Sequence, residues 1–165
     1  MEAQNEATNP IRRHAALVSY SREHHHGLLL VWKIRMGHKK EVAPVRIAGL
    51  VVWSFENDLA GHFRDEEVFL APHLPNGDPL LQRLQEEHAA LRELVDEIDA
   101  DPTSYELQAI FADKLELHIR FEERELFNYL QEHLSADALK ELELVERTSP
   151  KCNTDEWDDP FWLSK

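Results

Sequence analysis

The chain has 165 residues, 42% of them hydrophobic and 30% charged, which allows one folded domain with a sizeable core and argues against a disordered or fibrous protein. Lys and Arg total 18 against 32 Asp and Glu, so the formal net charge of -14 disfavours nucleic acid and anionic membrane surfaces as partners. The opening segment MEAQNEATNP has neither a basic nor an apolar leader region, no apolar run approaches bilayer-spanning length, and lone Cys152 excludes an internal disulfide, so a cytoplasmic protein is expected.

The apolar period predicts a first helix over residues 12–37, ended by Gly37 and followed by the basic loop HKKEVAP. A second helical pattern runs from about Val45 to Leu70, until Pro72 and Pro75 break it. Asp78 and Pro79 then supply an N-cap and a proline at the first helical position, opening a third helix to about Asp99. Thr103 with Glu106 reads as a capping box for a fourth helix to about His133, and Ser135 caps a short fifth one ending near Glu146. The remainder is a tail whose Trp157, Phe161 and Trp162 are expected to pack back onto the fold. Together these elements predict an all-α protein: an up-down-up-down four-helix bundle with a short C-terminal helix and tail.

Written at helical spacing, the four core stripes are Leu17, Tyr20, His24, Leu28, Val31; Phe55, Leu59, His62, Glu66, Phe69; Leu81, Leu84, His88, Leu91, Val95, Ile98; and Phe111, Leu115, His118, Glu122, Leu126, Tyr129. Each is apolar except near one level, where it carries a histidine and, in two helices, a glutamate four residues later. Counting from the turns brings His62, His88 and His118 nearly level, while His24 is out of step by roughly one turn at 1.5 Å per residue.

An unpaired buried carboxylate costs several kcal/mol, a large part of a domain's whole stability, so two of them call for a cation. Alternatively, the histidines are neutral and hydrogen-bonded within the core while the glutamates pair with Arg64, Arg120 or Arg124, but these arginines sit off the stripes. His-x-x-x-Glu places an imidazole and a carboxylate one turn apart on one helix face, and it occurs twice, as HFRDE and HIRFE. Imidazole and carboxylate donors without sulfur favour iron, with manganese or zinc also admitted. The Glu-x-x-His spacing of ferritin-like di-iron sites occurs once only, at Glu23 and His26.

The segments REHHHGLLL, HFRDEEVFL, EEHAAL and HIRFEERELF, within about residues 20–133, resemble the hemerythrin-like, or HHE cation-binding, family. The resemblance implies a hemerythrin-like bundle over residues 1–147 with a tail over 148–165, and two non-haem iron ions joined by an oxo or hydroxo bridge. It implies His24 and His62 on one iron, His88 and His118 on the other, and Glu66 and Glu122 bridging them. Of the consecutive His24, His25 and His26, His24 shares a face with Leu17, Tyr20, Leu28 and Val31 and is the preferred ligand over His25.

The sequence departs from the oxygen-carrying members of that family by having Arg92 where they place a second histidine on the third helix, and by a shorter second His-to-Glu spacing. A site with one histidine fewer is more open, which favours sensing, or peroxide or nitric oxide chemistry, over oxygen storage. Expected partners are a small diatomic ligand or peroxide, with a protein partner or a second copy as further candidates. Binding or sensing, reduction of peroxide or nitric oxide, and iron homeostasis stay open at this point.

Overall fold

Asp78 accepts a hydrogen bond from the Leu80 backbone N–H at 2.8 Å, capping a helix that opens on Pro79, as its sequence requires. In the computed structural model, which describes residues 12–147 and 156–163, this is the third of five helices, and no strand occurs among the described residues. Helix α1 spans Val18–Lys39. Helix α2, over 44–70, joins α-helical Pro44–Ser54 and Ala60–Asp65 through π-helical turns at Phe55–Leu59 and Glu66–Leu70. Helix α3 is Pro79–Ala100. Helix α4, over 105–133, joins Tyr105–Phe121 and Phe127–His133 through a π-helical turn at Glu122–Leu126, and α5 is Ala136–Leu144.

Helix α1 packs most extensively against α4, α3 also lies against α4, and α2 touches both α1 and α3. Polar contacts fix both ends of the α1–α4 pair. Arg13, just before α1, donates to the Glu123 carbonyl at 2.7 Å and to the Gln131 side chain at 3.2 Å. At the other end, the Tyr105 hydroxyl donates to the Val42 carbonyl at 2.5 Å and Gln108 donates to the Pro44 carbonyl at 2.8 Å.

The apolar interior is divided. One cluster gathers Val31, Ile34, Ile47, Val51, Phe63, Leu91, Leu115 and Ile119, with the tail's Phe161. Another gathers Leu17, Tyr20, Leu70, Leu84, Leu126, Phe127 and Leu130. His24, His62, Glu66, His88, His118 and Glu122 are all buried and, on each helix, fall between residues of the two clusters. A polar layer is thus clamped between two apolar ones.

Several boundaries differ from expectation. Helix α1 starts at Val18 rather than residue 12, because Arg13 is committed to α4 and Ala15–Leu17 form a turn. It also continues past Gly37 to Lys39. Gly37 is a packing glycine, not a stop: a Cβ there would lie 2.7 Å from Ile47 Cδ1 and 2.9 Å from the Phe161 ring. The cap of α4 is Ser104, whose side chain accepts from the Leu107 N–H, while the Thr103 hydroxyl donates to Asp101. The α5 cap is Ser135, as expected, but the helix stops at Leu144.

Leu28 is exposed, and Gly27 takes its place on the buried face of α1. In α2 and α4 the π turns insert an extra residue into the period, so Leu70 and Leu130 are fully buried where Phe69 and Tyr129 were expected. Trp157 and Trp162 pack against the first cluster with Phe161. Cys152 lies outside the described residues. Among the described residues, no helix is long and apolar enough to cross a membrane.

Candidate metal centre

Helix α1 delivers His24, α2 delivers His62 and Glu66, α3 delivers His88, and α4 delivers His118 and Glu122. Both glutamates open a π-helical turn, a local distortion that often accompanies functional sites. The six side chains form two groups sharing both carboxylates: His24, His62, Glu66 and Glu122, and Glu66, His88, His118 and Glu122. Within each group the ligand-type atoms lie within 4.8 Å of one another.

The sharing is resolved oxygen by oxygen. Glu66 directs Oε1 to His62 Nε2 at 2.7 Å and Oε2 to His88 Nε2 at 3.1 Å. Glu122 directs Oε2 to His24 Nε2 at 2.8 Å and Oε1 to His118 Nε2 at 2.5 Å. The His62–Glu66 and His118–Glu122 pairs are close yet lack hydrogen-bond alignment, leaving His62 Nε2, His118 Nε2 and both Glu66 oxygens without a hydrogen-bond partner among the described residues. Buried nitrogens and oxygens that crowd together without bonding one another are a donor set for a cation.

Electrostatics agree. Burial opposes charge on every member, yet hydrogen bonds to Glu122 and Glu123, with the Glu66 carboxylate nearby, push His24 up to about 10, and Glu122, Glu67 and the neighbouring Glu66 do the same for His88. His62 is also raised well above its usual value, and His118 is raised, chiefly by the charge of Glu66 and of Glu122 respectively. Burial and mutual repulsion work against the charge on Glu66, but the surrounding imidazoles hold it low, as they do Glu122. Two carboxylates in a dry core thus draw positive charge, which protons provide in the metal-free chain and metal ions would provide in its place.

Each histidine turns Nε2 inward and Nδ1 outward toward a second glutamate. The outer pairs are His24–Glu123 at 2.6 Å, His88–Glu67 at 2.7 Å, His118–Glu87 at 3.4 Å and His62–Glu23 at 3.7 Å; the first two are hydrogen bonds. They form a closed circuit, since α1 supplies the carboxylate for α2, α2 for α3, α3 for α4 and α4 for α1. An arginine backs each carboxylate: Arg147 on Glu23, Arg92 on Glu67, Arg83 on Glu87 and Arg13 on Glu123. Such partners fix ring orientation and tautomer and raise ligand basicity.

A family model, the Hemerythrin HHE cation binding domain, matches residues 16–130. The chain belongs to this family. No curated protein and no solved structure matched in the other comparisons. Hemerythrin HHE domains bind metal, and the two histidine–glutamate groups give this member residues suited to hold it.

All six residues expected at the HHE centre come together, His24 included, whose predicted offset disappears in the packed helices. His25 is exposed and stays apart from the groups. Arg120 pairs with Glu116 instead of a central glutamate. His38 lies in the last turn of α1, not in a loop, and contacts Gln108, while His133 stacks on Tyr129. The four outer glutamates escaped the sequence reading. Their signal is adjacency, because each directly precedes or follows a central residue, as Glu23-His24, Glu66-Glu67, Glu87-His88 and Glu122-Glu123.

Proposed function

We propose that this hemerythrin HHE protein is a non-haem di-iron protein that binds or senses oxygen, nitric oxide or peroxide at a centre of four histidines and two glutamates. In this reading its long helices run up-down-up-down, the arrangement supported by the polar ties at both ends of α1 and α4. His24 and His62 hold one iron, His88 and His118 the other, and Glu66 and Glu122 bridge them, joined by an oxo or hydroxo group. The observation that carries the reading is the division of each central carboxylate, one oxygen facing each histidine pair.

Imidazole and carboxylate donors without thiolate suit iron. Bound iron would supply a change of redox state and open positions for a small ligand. The residues of the chain do the rest: Glu123 and Glu67 accept from Nδ1 of His24 and His88 and so hold Nε2 of each toward the metal, and the two apolar clusters exclude bulk water.

A second reading, an enzyme that reduces peroxide or nitric oxide, is favoured by a small cavity lined by His24, His62 and His118. Mixing the reduced, iron-loaded protein rapidly with oxygen, nitric oxide and peroxide separates the two. A long-lived adduct supports binding, repeated turnover supports the enzyme, and no reaction with any of the three defeats both.

A further inference from the structure

The outer carboxylates divide by the origin of the arginines behind them. Glu67 and Glu87, which face His88 and His118, are backed by Arg92 and Arg83, both carried by α3. Glu123 and Glu23, which face His24 and His62, are backed by Arg13 and Arg147, which lie outside the four long helices, one before the start of α1 and the other beyond the end of α5. The division follows the two metal-binding groups, since His24 and His62 belong to one and His88 and His118 to the other.

Both flanking arginines are seated in the bundle. The side chains of Arg13 and Arg147 are 10% and 14% exposed, against 40% and 47% for Arg92 and Arg83. Arg13 Nη2 donates to Glu123 Oε2 at 2.9 Å while Glu123 Oε1 meets His24 Nδ1, and Nη1 donates to the Asn128 and Gln131 side chains at 3.2 Å. Arg147 lies over the Tyr20 ring at 3.9 Å, grips both Glu23 oxygens, and donates to the Ser19 hydroxyl at 3.1 Å and from Nε to Asp65 Oδ2 at 3.0 Å. Glu23 and Asp65 immediately precede His24 and Glu66, so one guanidinium bridges α1 and α2 beside a central residue of each. Neither arginine lies in a helix, so these contacts are what hold it, and losing one leaves a partly buried carboxylate short of its cation.

We propose that Arg13 and Arg147 are positioning residues that make the metal position of His24 and His62 depend on the seating of the two flanking segments, whereas the support of the His88 and His118 position is built into the long helices. The proposal rests on the di-metal reading and makes its two positions unequal. Each arginine acts through a carboxylate that faces an imidazole Nδ1, and so on the orientation and basicity of the Nε2 that meets the metal. Coupling between two equilibria is reciprocal, so filling that position must in turn tighten the seating of both segments.

The test uses zinc(II), a diamagnetic ion that these donors admit, added to the metal-free full chain and followed by NMR of the imidazole nitrogens, which reports each histidine separately. In the unaltered chain all four histidines should respond. In R13M and R147M the response of His24 and His62 should need about tenfold more free zinc, the usual effect of losing an orienting partner, with His88 and His118 changed less than about twofold. R83M should show the reverse, and R147K, which keeps the charge and loses the fork, should fall between R147M and the unaltered chain. Zinc should also slow hydrogen exchange in the unaltered chain at the His14 amide, bonded to Gln131, and the Val145 amide, bonded to the Leu142 carbonyl, more than at the Thr103 amide in the α3–α4 turn. Equal losses at the two positions, no loss in R13M and R147M, or flanking amides slowed no more than Thr103 would overturn the proposal; the exchange readout needs no variant and so decides the matter even where one fails to fold. If zinc moves none of the four histidines, the di-metal reading fails and the proposal with it, whereas the other contrary outcomes leave that reading intact.

Discussion

Arg92 grips the carboxylate of Glu67 with both terminal nitrogens, at 2.8 and 3.1 Å, and the same Glu67 oxygen that meets Arg92 Nη1 receives His88 Nδ1 at 2.7 Å. The residue standing where oxygen carriers of this family place another histidine is therefore a support for the histidine one turn before it. The Arg92→Met variant keeps the apolar stem and removes the fork. Metal affinity is expected to fall about tenfold, the usual effect of losing an orienting partner, with metal stoichiometry unchanged. Competitive titration with a chelator measures it, and affinity equal to wild type would show that Glu67 needs no such support.

His24 and His25 are adjacent, but only His24 is buried and faces Glu122. Replacing His24 with Ala should lower iron occupancy or shift the oxo-to-iron charge-transfer band, and His25→Ala should leave both nearly unchanged. The opposite pattern in absorption spectra of the two variants would mean that α1 is rotated by about 100° from this account.

Stability of the metal-free chain should fall as the pH rises above neutrality, a dependence that the metal removes. His24 and His88 rise from 6.5 to about 10 in the fold, so their contribution is complete below 6.5 and lost as the pH climbs through about 10. Glu67 is lowered from 4.5 to about 2 against its partial burial by His88 and Arg92, so its contribution is complete above 4.5 and lost as the pH falls toward 2. The metal-free chain is thus expected to be most stable between 4.5 and 6.5. Ligated imidazoles are neutral, so the loaded chain should keep its melting temperature as the pH rises further. Melting curves of both forms from about pH 5 to 9 check this; parallel curves would contradict it.

Gly37 admits the close approach of α1, α2 and the tail. Gly37→Ala forces Ile47 and Phe161 to move, an overpacking of about 1–3 kcal/mol against a helix-propensity gain of roughly 1 kcal/mol. Net destabilisation of up to about 2 kcal/mol is expected in urea titrations, and a stabilised variant would show that the tail does not pack there.

The central residues were legible because a buried helix face repeats at a fixed period, and a histidine or glutamate on it, as at His62 and Glu66, interrupts an otherwise apolar series. Their outer partners were not. Glu67 and Glu123 sit one residue off the stripe, on its rim, and acquire a role only from the histidine that the next helix presents. The π turns at Glu66 and Glu122 leave no mark in composition, so the sequence pointed to Phe69 and Tyr129 where packing buries Leu70 and Leu130. Gly37 was ambiguous for another reason: glycine both ends helices and lets them touch, and only the positions of Ile47 and Phe161 decide between the two.

The most direct measurement is the metal content of the purified chain, taken together with its near-ultraviolet spectrum after expression in iron-rich medium. The account expects about two irons per chain and, on oxidation, an oxo-to-iron charge-transfer band, as two groups of nitrogen and oxygen donors sharing two carboxylates should give. Stoichiometric zinc without iron, or a chain that binds no metal and melts identically with and without a chelator, would contradict it.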